Sequence, residues 1–480
     1  MTAAQSDVQR QTDPEIAAIA DYVLDGKIES TLAYETARHC LMDTLGCGLE
    51  ALSYPACTKL LGPIVPGAVL ANGARVPGTS FELDPVTAAF NIGTMNRWLD
   101  FNDAWFGKTG AHPSDNLGAI LAVSDWLSRR AVAAGKAPLR MRDVLTAMIQ
   151  AHEIQGVLAL ENNIIELGLD NVILVKIAST AVATRLLGGT REEIVNAVSN
   201  AVVDGHPMRL YRIAPTLGSR KSWAAGDATS RAVRLALMAL TGEMGYPNAF
   251  TAPKWGFYET LFRGQPFRVP RPYASHVIEN VQFKIAYPTG FHGQTAAECA
   301  LKLHPLVKDR LHAIRAVRMW THHSARHLIT ANVPLTNPAA RDHSLQYIAA
   351  IGLLFGRLTA ADYEDGVAAD PAVDALREKM TVSVDERYTA AFRDPEQRAN
   401  PYGMEVEFQD GTRTDRVEVL FPLGHPRRRR EGIPLLVEKF RTNLARCFAP
   451  KRQQMILERC ADQARLERTP VHEFMELFAI

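Results

Sequence analysis

Hydrophobic residues recur every three to four positions through most of the first half of the chain, a period that predicts helices. Asp13-Pro14-Glu15 reads as an N-cap followed by Pro at the first helical position. Ile16, Ile19, Val23 and Leu24 then fall at helical spacing. Further helical patterns cover 31–52, with Thr31 as the cap, and 85–97, 116–135 and 144–158. Residues 172–187 are mostly apolar with several Ala, which predicts a helix buried on most sides. Thr190 and Glu193, three apart before Ile194 and Val195, form a capping box. An Ala-rich helix follows over 224–241, so the first half reads as nearly all α.

The pattern changes after Pro253. Residues 264–292 are rich in Pro, Gly, Tyr and Phe, and the helical period is lost. Alternation around Val317 and Met319, and again over 381–385, predicts strands. Residues 404–408 and 416–421 alternate on either side of Asp410-Gly411, which is the signature of a β-hairpin. Helical patterns at 345–358 and 371–379 sit among these strands, so the second unit is α+β. From Ile433 the helical period returns, through Phe440 and Leu444 and over 453–477, in a tail expected to pack back on the first unit.

Composition narrows the class. The 480 residues exceed what one hydrophobic core usually holds, so two domains are expected. Lys plus Arg number 53 against 52 Asp plus Glu, a formal +1 that gives no footing for nucleic acid or a membrane surface. An anionic metabolite would have to be held by a local cluster of cations. The first twelve residues are polar, unlike a signal peptide, and no apolar run is long enough to span a bilayer. Six cysteines without a C-x-x-C pair point to reduced thiols and a cytoplasmic setting.

The densest chemistry lies at 98–116, W-L-D-F-N-D-A-W-F-G-K-T-G-A-H-P-S-D-N. It sets Asp100, Asp103, Asp115, His112 and Lys108 among aromatics, between two apolar runs. Gly107 and Gly110 allow tight bends, and Pro113 stops a helix there. A histidine among acids near Trp is how proton-transfer sites are assembled; an ordered, well-capped surface loop is the other reading.

Other segments carry weaker signals. Arg220-Lys221 stands at the start of the Ala-rich helix, just after Pro215 and Gly218. Two cations at a helix N-terminus suit a carboxylate, and equally a solvated basic turn. Lys284 and His292 flank the Pro288-Thr289-Gly290 bend in apolar company. Arg341-Asp342-His343, with Tyr347 one turn on, opens an apolar helix where Asp342 could cap. His152-Glu153 reads as an interior ion pair. His322-His323 with His327 lacks the Glu of a zinc helix, Gly107-Lys108-Thr109 lacks the earlier Gly of a phosphate loop, and Gly46-Cys47-Gly48 lacks the third Gly of a dinucleotide turn. The basic run 427–430 reads as a solvated or interdomain turn.

Taken together, C-L-M-D-T-L-G-C-G-L-E-A-L (40–52), R-W-L-D-F-N-D (97–103), G-A-H-P-S-D-N-L-G (110–118) and R-K-S-W-A-A-G-D-A-T-S-R-A (220–232) resemble the MmgE/PrpD family. So do A-H-E-I-Q-G (151–156), G-E-M-G-Y-P (242–247), R-D-H-S-L-Q-Y (341–347), F-G-R-L-T-A-A-D-Y-E-D (355–365) and G-H-P-R-R-R-R-E-G-I-P (424–434). The likeness is to its members that dehydrate 2-methylcitrate without an iron–sulfur cluster, and it runs from about residue 13 to the C-terminus.

The resemblance implies a mainly α fold with an α+β part: a large all-α domain over 13–270, completed by 433–480, and a smaller α+β lid domain over 271–432. It implies a metal-free, cofactor-free hydro-lyase of propionate catabolism acting on a small tricarboxylate, as a monomer or homodimer, with its site between the domains. It carries catalytic roles onto Asp100, His112, Lys221 and His292, and substrate binding onto Asp103, Asp170, Lys284, His343 and Tyr347. Related cis-aconitate decarboxylases share the framework and are the rival expectation. Ala104 and Asp170, where those look to have Thr and His, favour dehydration. A helical scaffold without activity is the non-enzymatic alternative.

Eliminating water requires a base for a weakly acidic C–H proton and an acid for the departing hydroxyl. Asp100 and His112 are the expected acid/base pair. Lys221, Lys284 and His292 are expected to hold carboxylates, with His292 a second proton carrier.

Overall fold

The computed structural model describes residues 11–213, 216–329 and 334–480, and their side chains apart from those of 327–329. The polar N-terminus through residue 10, Pro215 and the His327 side chain lie outside the described residues.

The fold is mainly α with an α+β part. Eight helices build the helical body: Pro14–Asp25, Thr31–Ala51, Pro85–Arg97, Leu117–Ala133, Met141–Glu161, Val172–Leu186, Arg191–Val203 and Arg220–Ala239. Val172–Leu186 is buried on nearly every side, as its unbroken apolar run requires. One core joins these helices to Leu436, Phe440, Ile456, Phe474 and Phe478 of the C-terminal tail.

Helix Pro85–Arg97 packs backbone to backbone on Arg220–Ala239. A Cβ on Gly93 would come within 2.8 Å of the Gly226 Cα, and one on Gly226 within 2.6 Å of the Phe90 oxygen. Thr229 Oγ1 donates to the Ala89 oxygen, 3.1 Å away, so the two helices run antiparallel. The end of the first therefore meets the start of the second, which brings residues 97–100 beside Lys221.

Some local expectations fail because tertiary partners outcompete local ones. Asp13 makes no cap hydrogen bond to its own helix; it accepts from the Phe250 amide at 2.7 Å and from Thr251. Ser30, not Thr31, caps helix Thr31–Ala51. His152 and Glu153 are not partners. His152 turns to Asp103, and Glu153 accepts from the amides of Ala274 and Val277. Residues 450–461, 463–468 and 471–476 form three short helices where one period ran through 453–477.

The second core surrounds a four-stranded sheet. Ile314–Thr321 pairs in parallel with Met380–Val384 and antiparallel with Tyr402–Phe408, which in turn pairs with the edge strand Val417–Val419. The expected hairpin is present, with Gly411 at φ +82° in its turn. Helices Gln294–Val307 and Leu345–Phe355 contribute to this core. Gly356, at φ +62°, ends the latter three residues before the apolar pattern does.

The basic run is paired and not merely solvated, and touches elements of both cores. Arg428 bridges Glu298 at 2.9 Å and Glu431 at 2.7 Å, and Arg429 donates to the Val281 oxygen at 2.5 Å while lying over the Phe283 ring. No helix among the described residues is long and apolar enough to cross a membrane.

Candidate active site

The chain leaves helix Pro85–Arg97 through a turn in which Asp100 adopts φ +49°, a left-handed conformation that Asp tolerates better than most residues. This aims a buried carboxylate into a cluster of cations. Arg97 Nη1 lies 2.7 Å from Asp100 Oδ1, and Lys221 Nζ lies 3.6 Å from Oδ2. Lys284 bonds the same carboxylate and donates at 2.8 Å to the Asp100 backbone oxygen. Burial alone would push the Asp100 carboxyl up, but Arg97, Lys284, Lys221 and His343 together hold it well below the usual range. Burial pushes the Lys284 ammonium down to about 8 despite Asp100 beside it.

Lys221, in the first turn of its helix, donates to both oxygens of Asp342 at 2.7 Å. His343 Nδ1 lies against Asp342 and 3.0 Å from Lys221 Nζ, and His343 Nε2 lies 3.5 Å from Asp100 Oδ2. Asp342 is thus an ion-pair partner, not a helix cap; Ser344 caps helix Leu345–Phe355. Burial, with Lys221 adding to it, lowers the His343 pKa.

His112 stands opposite in charge character. Its Nδ1–H donates to the Asp103 backbone oxygen at 2.6 Å, which fixes the tautomer and leaves the Nε2 lone pair available. Burial, then Arg97 and Lys284, hold the ring well below the usual histidine value, so it is neutral.

A cavity of about 780 Å³ opens between the helical body and the sheet-containing part, of a size suited to a small metabolite. Asp100, His112, His292 and His343 line it, together with Arg97, Arg209 and Arg212. The last two sit on the single turn Arg209–Arg212. Phe106, Phe291 and Phe392 supply an aromatic wall beside His292, with the first two ring centroids 4.1 Å apart. His292 Nδ1 is buried without a hydrogen-bond partner, and burial lowers that ring to about 4.

Among the described residues two groups bring three potential metal ligands within 4.8 Å, Cys40 with Asp103 and His152, and Asp100 with Asp342 and His343. In both, the carboxylates already face donors or cations. Neither group offers the vacant oxygen set a hard cation needs.

Residues 17–270 match the family model of the MmgE/PrpD N-terminal domain, and residues 287–463 that of the MmgE/PrpD C-terminal domain. The chain belongs to the MmgE/PrpD family. It is similar to the 2-methylcitrate dehydratase of Escherichia coli strain K12, 60% identical over 483 residues and covering all of both chains. It is 60% identical over 476 residues to that of Cupriavidus necator, covering 98% of each. To the mitochondrial 2-methylcitrate dehydratase of Yarrowia lipolytica it is 50% identical over 472 residues, covering 97% of this chain and 90% of that one.

Within this MmgE/PrpD cavity the residues anticipated from sequence fall into three positions. Asp100, His112, His292 and His343 reach its wall. Lys221 and Lys284 sit one layer back, against Asp100, and Asp103 lies behind His112. Asp170 is fully buried behind the arginines, bonding Arg212 through both carboxylate oxygens, with Arg209 3.9 Å away. Tyr347 is not brought to the cavity: its hydroxyl donates to the Asp362 oxygen at 2.6 Å inside the second core. Arg97, Arg209 and Arg212 were not singled out from sequence. Arg97 had a signal, being the first residue of R-W-L-D-F-N-D. Arg209 and Arg212 had none, because only folding places their turn beside residues 97–112.

Proposed function

We propose that the chain is a hydro-lyase that eliminates water from 2-methylcitrate to give 2-methyl-cis-aconitate, a step of the methylcitrate cycle in propionate catabolism. Full-length similarity to dehydratases of that name supports the substrate. The observation that carries the chemistry is His112, a neutral imidazole with its Nδ1–H committed and its lone pair free beside three cavity-lining arginines.

In this reading Arg97, Arg209 and Arg212 receive the carboxylates, where charge-assisted bonds are strongest. His112 Nε2 takes the C–H proton while the arginines bear the charge growing on the adjacent carboxylate. The hydroxyl leaves from the neighbouring carbon as water, its proton supplied from the His343 side, where Lys221 and Asp342 back the ring. Asp100, held far below the carboxyl range, stays ionised and serves as the anchor of the cation cluster, not as the acid. No step is routed through a metal or cofactor, and the setting is cytoplasmic.

Purified protein should be offered 2-methylcitrate, citrate and cis-aconitate in parallel, with and without EDTA. Expected is the absorbance of a new conjugated alkene, fastest from 2-methylcitrate and unchanged by the chelator. Release of carbon dioxide from cis-aconitate, without alkene formation from 2-methylcitrate, would assign the chain to the decarboxylases instead.

A further inference from the structure

The proposed base is held by a backbone carbonyl, so its geometry depends on what holds that carbonyl. Asp103 is fully buried, and its side chain is clamped on two sides. Oδ1 accepts from the Ser114 amide at 3.1 Å and from Ser114 Oγ at 2.7 Å, two residues beyond His112. Oδ2 lies 3.0 Å from His152 Nε2. His152 comes from the interior of helix Met141–Glu161 and is 1% exposed, and its Nδ1–H donates to the Met148 oxygen at 2.8 Å. Both ring nitrogens of His152 thus face acceptor oxygens, so the ring donates to both as an imidazolium, and Nε2–H pairs with the Asp103 carboxylate.

We propose that Asp103 and His152 are a positioning pair that locks His112 in the Nδ1–H tautomer by anchoring the Asp103 carbonyl to the helical core. Neither residue lines the cavity. Asp103 reaches His112 from before it through the carbonyl and from after it through Ser114, so the turn 103–114 is closed around the imidazole. The His152 helix supplies a fixed reference, because it belongs to the main core. Residues acting through another group in this way orient it and set its basicity. The charged groups around the His112 ring are Arg97, Lys284 and Asp100; around Asp103 the titratable groups are Arg429, Asp43, Asp115 and the buried Cys40, whose thiol burial keeps protonated.

The role as positioning residues for a base rests on the function proposed above, whereas the tautomer lock does not. The test therefore reads both. In His152→Leu the donor to Asp103 is lost; in His152→Gln an amide nitrogen stands near the Nε2 position. Expected for His152→Leu is a fall in kcat of roughly 10- to 100-fold from a small misplacement of the base, with KM little changed. The acidic limb of kcat/KM should move towards the ordinary histidine value of about 6.5, and His152→Gln should recover most of the loss. Ring 15N signals of His112, assigned by their disappearance in His112→Asn, should show the Nδ1–H form in the wild type and a mixture in His152→Leu. If His152→Leu does not fold, Asp103→Asn keeps the carbonyl and the side-chain shape while weakening both clamps, and the same signals are read. An unchanged tautomer and pH profile, with only the melting temperature lowered, overturns the proposal. Turnover retained in His112→Asn would remove the base assignment alone, leaving the ring signals to decide the lock.

Discussion

Lys221 Nζ donates to both carboxylate oxygens of Asp342 at 2.7 Å, across 121 residues of sequence. The pair joins the first turn of helix Arg220–Ala239 to the residue after Pro338–Arg341, and so bridges the helical body and the sheet-containing part behind the cavity wall. The ammonium also faces Asp100.

Lys221→Ala should therefore cost more than a substrate contact. Removing one partner of a buried ion pair leaves the other uncompensated, at about 3–5 kcal/mol. The melting temperature should fall together with kcat. Lys221→Met with Asp342→Leu should restore much of the stability, because no lone charge remains, but not the activity. Stability lost with turnover per folded molecule intact would place the pair outside the chemistry.

A second buried lysine should behave differently. Lys439, from the C-terminal helix Arg429–Leu444, donates to Asp43 Oδ1 at 2.8 Å, to the Phe101 oxygen at 2.9 Å and to the Lys284 oxygen at 2.8 Å. It holds the backbone on both sides of the Asp100–Lys284 contact without lining the cavity. Lys439→Met strands two carbonyls and a buried carboxylate, each costing about 1–3 kcal/mol or more. Thermal unfolding should show a loss of at least that size, and a melting temperature within a degree or two of wild type would contradict the account.

Lys439 also shows where sequence reading stops. Its helix was legible, because apolar spacing is local and each helix must bury one stripe. The Thr190–Glu193 capping box was legible for the same reason and is present. The polar crowding of 98–116 marked Asp100 and His112, since so many charges between two apolar runs have no core role. Nothing local told Lys439 from a solvated lysine, because all three of its partners are remote in sequence. Asp13 and His152 were misread on the same ground: a good nearby partner existed, and a distant one won. Tyr347 sits on the helix that follows Asp342 and His343, but its ring turns into the second core while His343 lines the cavity.

Activity and stability should part company on the alkaline side. Lys284 has its pKa lowered to about 8 by burial. Above that pH the amine is neutral and Asp100 loses a cation, so kcat/KM should fall with a midpoint near 8. The unfolded lysine keeps its proton to about 10.4. Between the two values the unfolded state holds more protons, so this group's contribution to stability rises with pH through that window. Lys284→Arg should move the alkaline limb upward, because a guanidinium stays charged. An alkaline limb unmoved in that variant would exclude Lys284 as its source.

His112 and Asp100 are the decisive pair. His112→Asn keeps a polar donor of similar size beside Pro113 but removes the free imidazole nitrogen, and turnover should drop by roughly 10²–10⁴-fold with little change in substrate affinity. Asp100→Asn removes the anion that Arg97, Lys221 and Lys284 share. Its loss should appear in kcat and also in the melting temperature, as three cations then face each other less compensated. If base and anchor act as one unit, the double variant loses less than the product of the two single effects. Independent roles would give the full product. Should His112→Asn lower only the melting temperature, with turnover per folded molecule preserved, the turn 103–114 would be a well-tied loop and the proton would have to leave by another group on the cavity wall, where His292, His323 and His343 also stand.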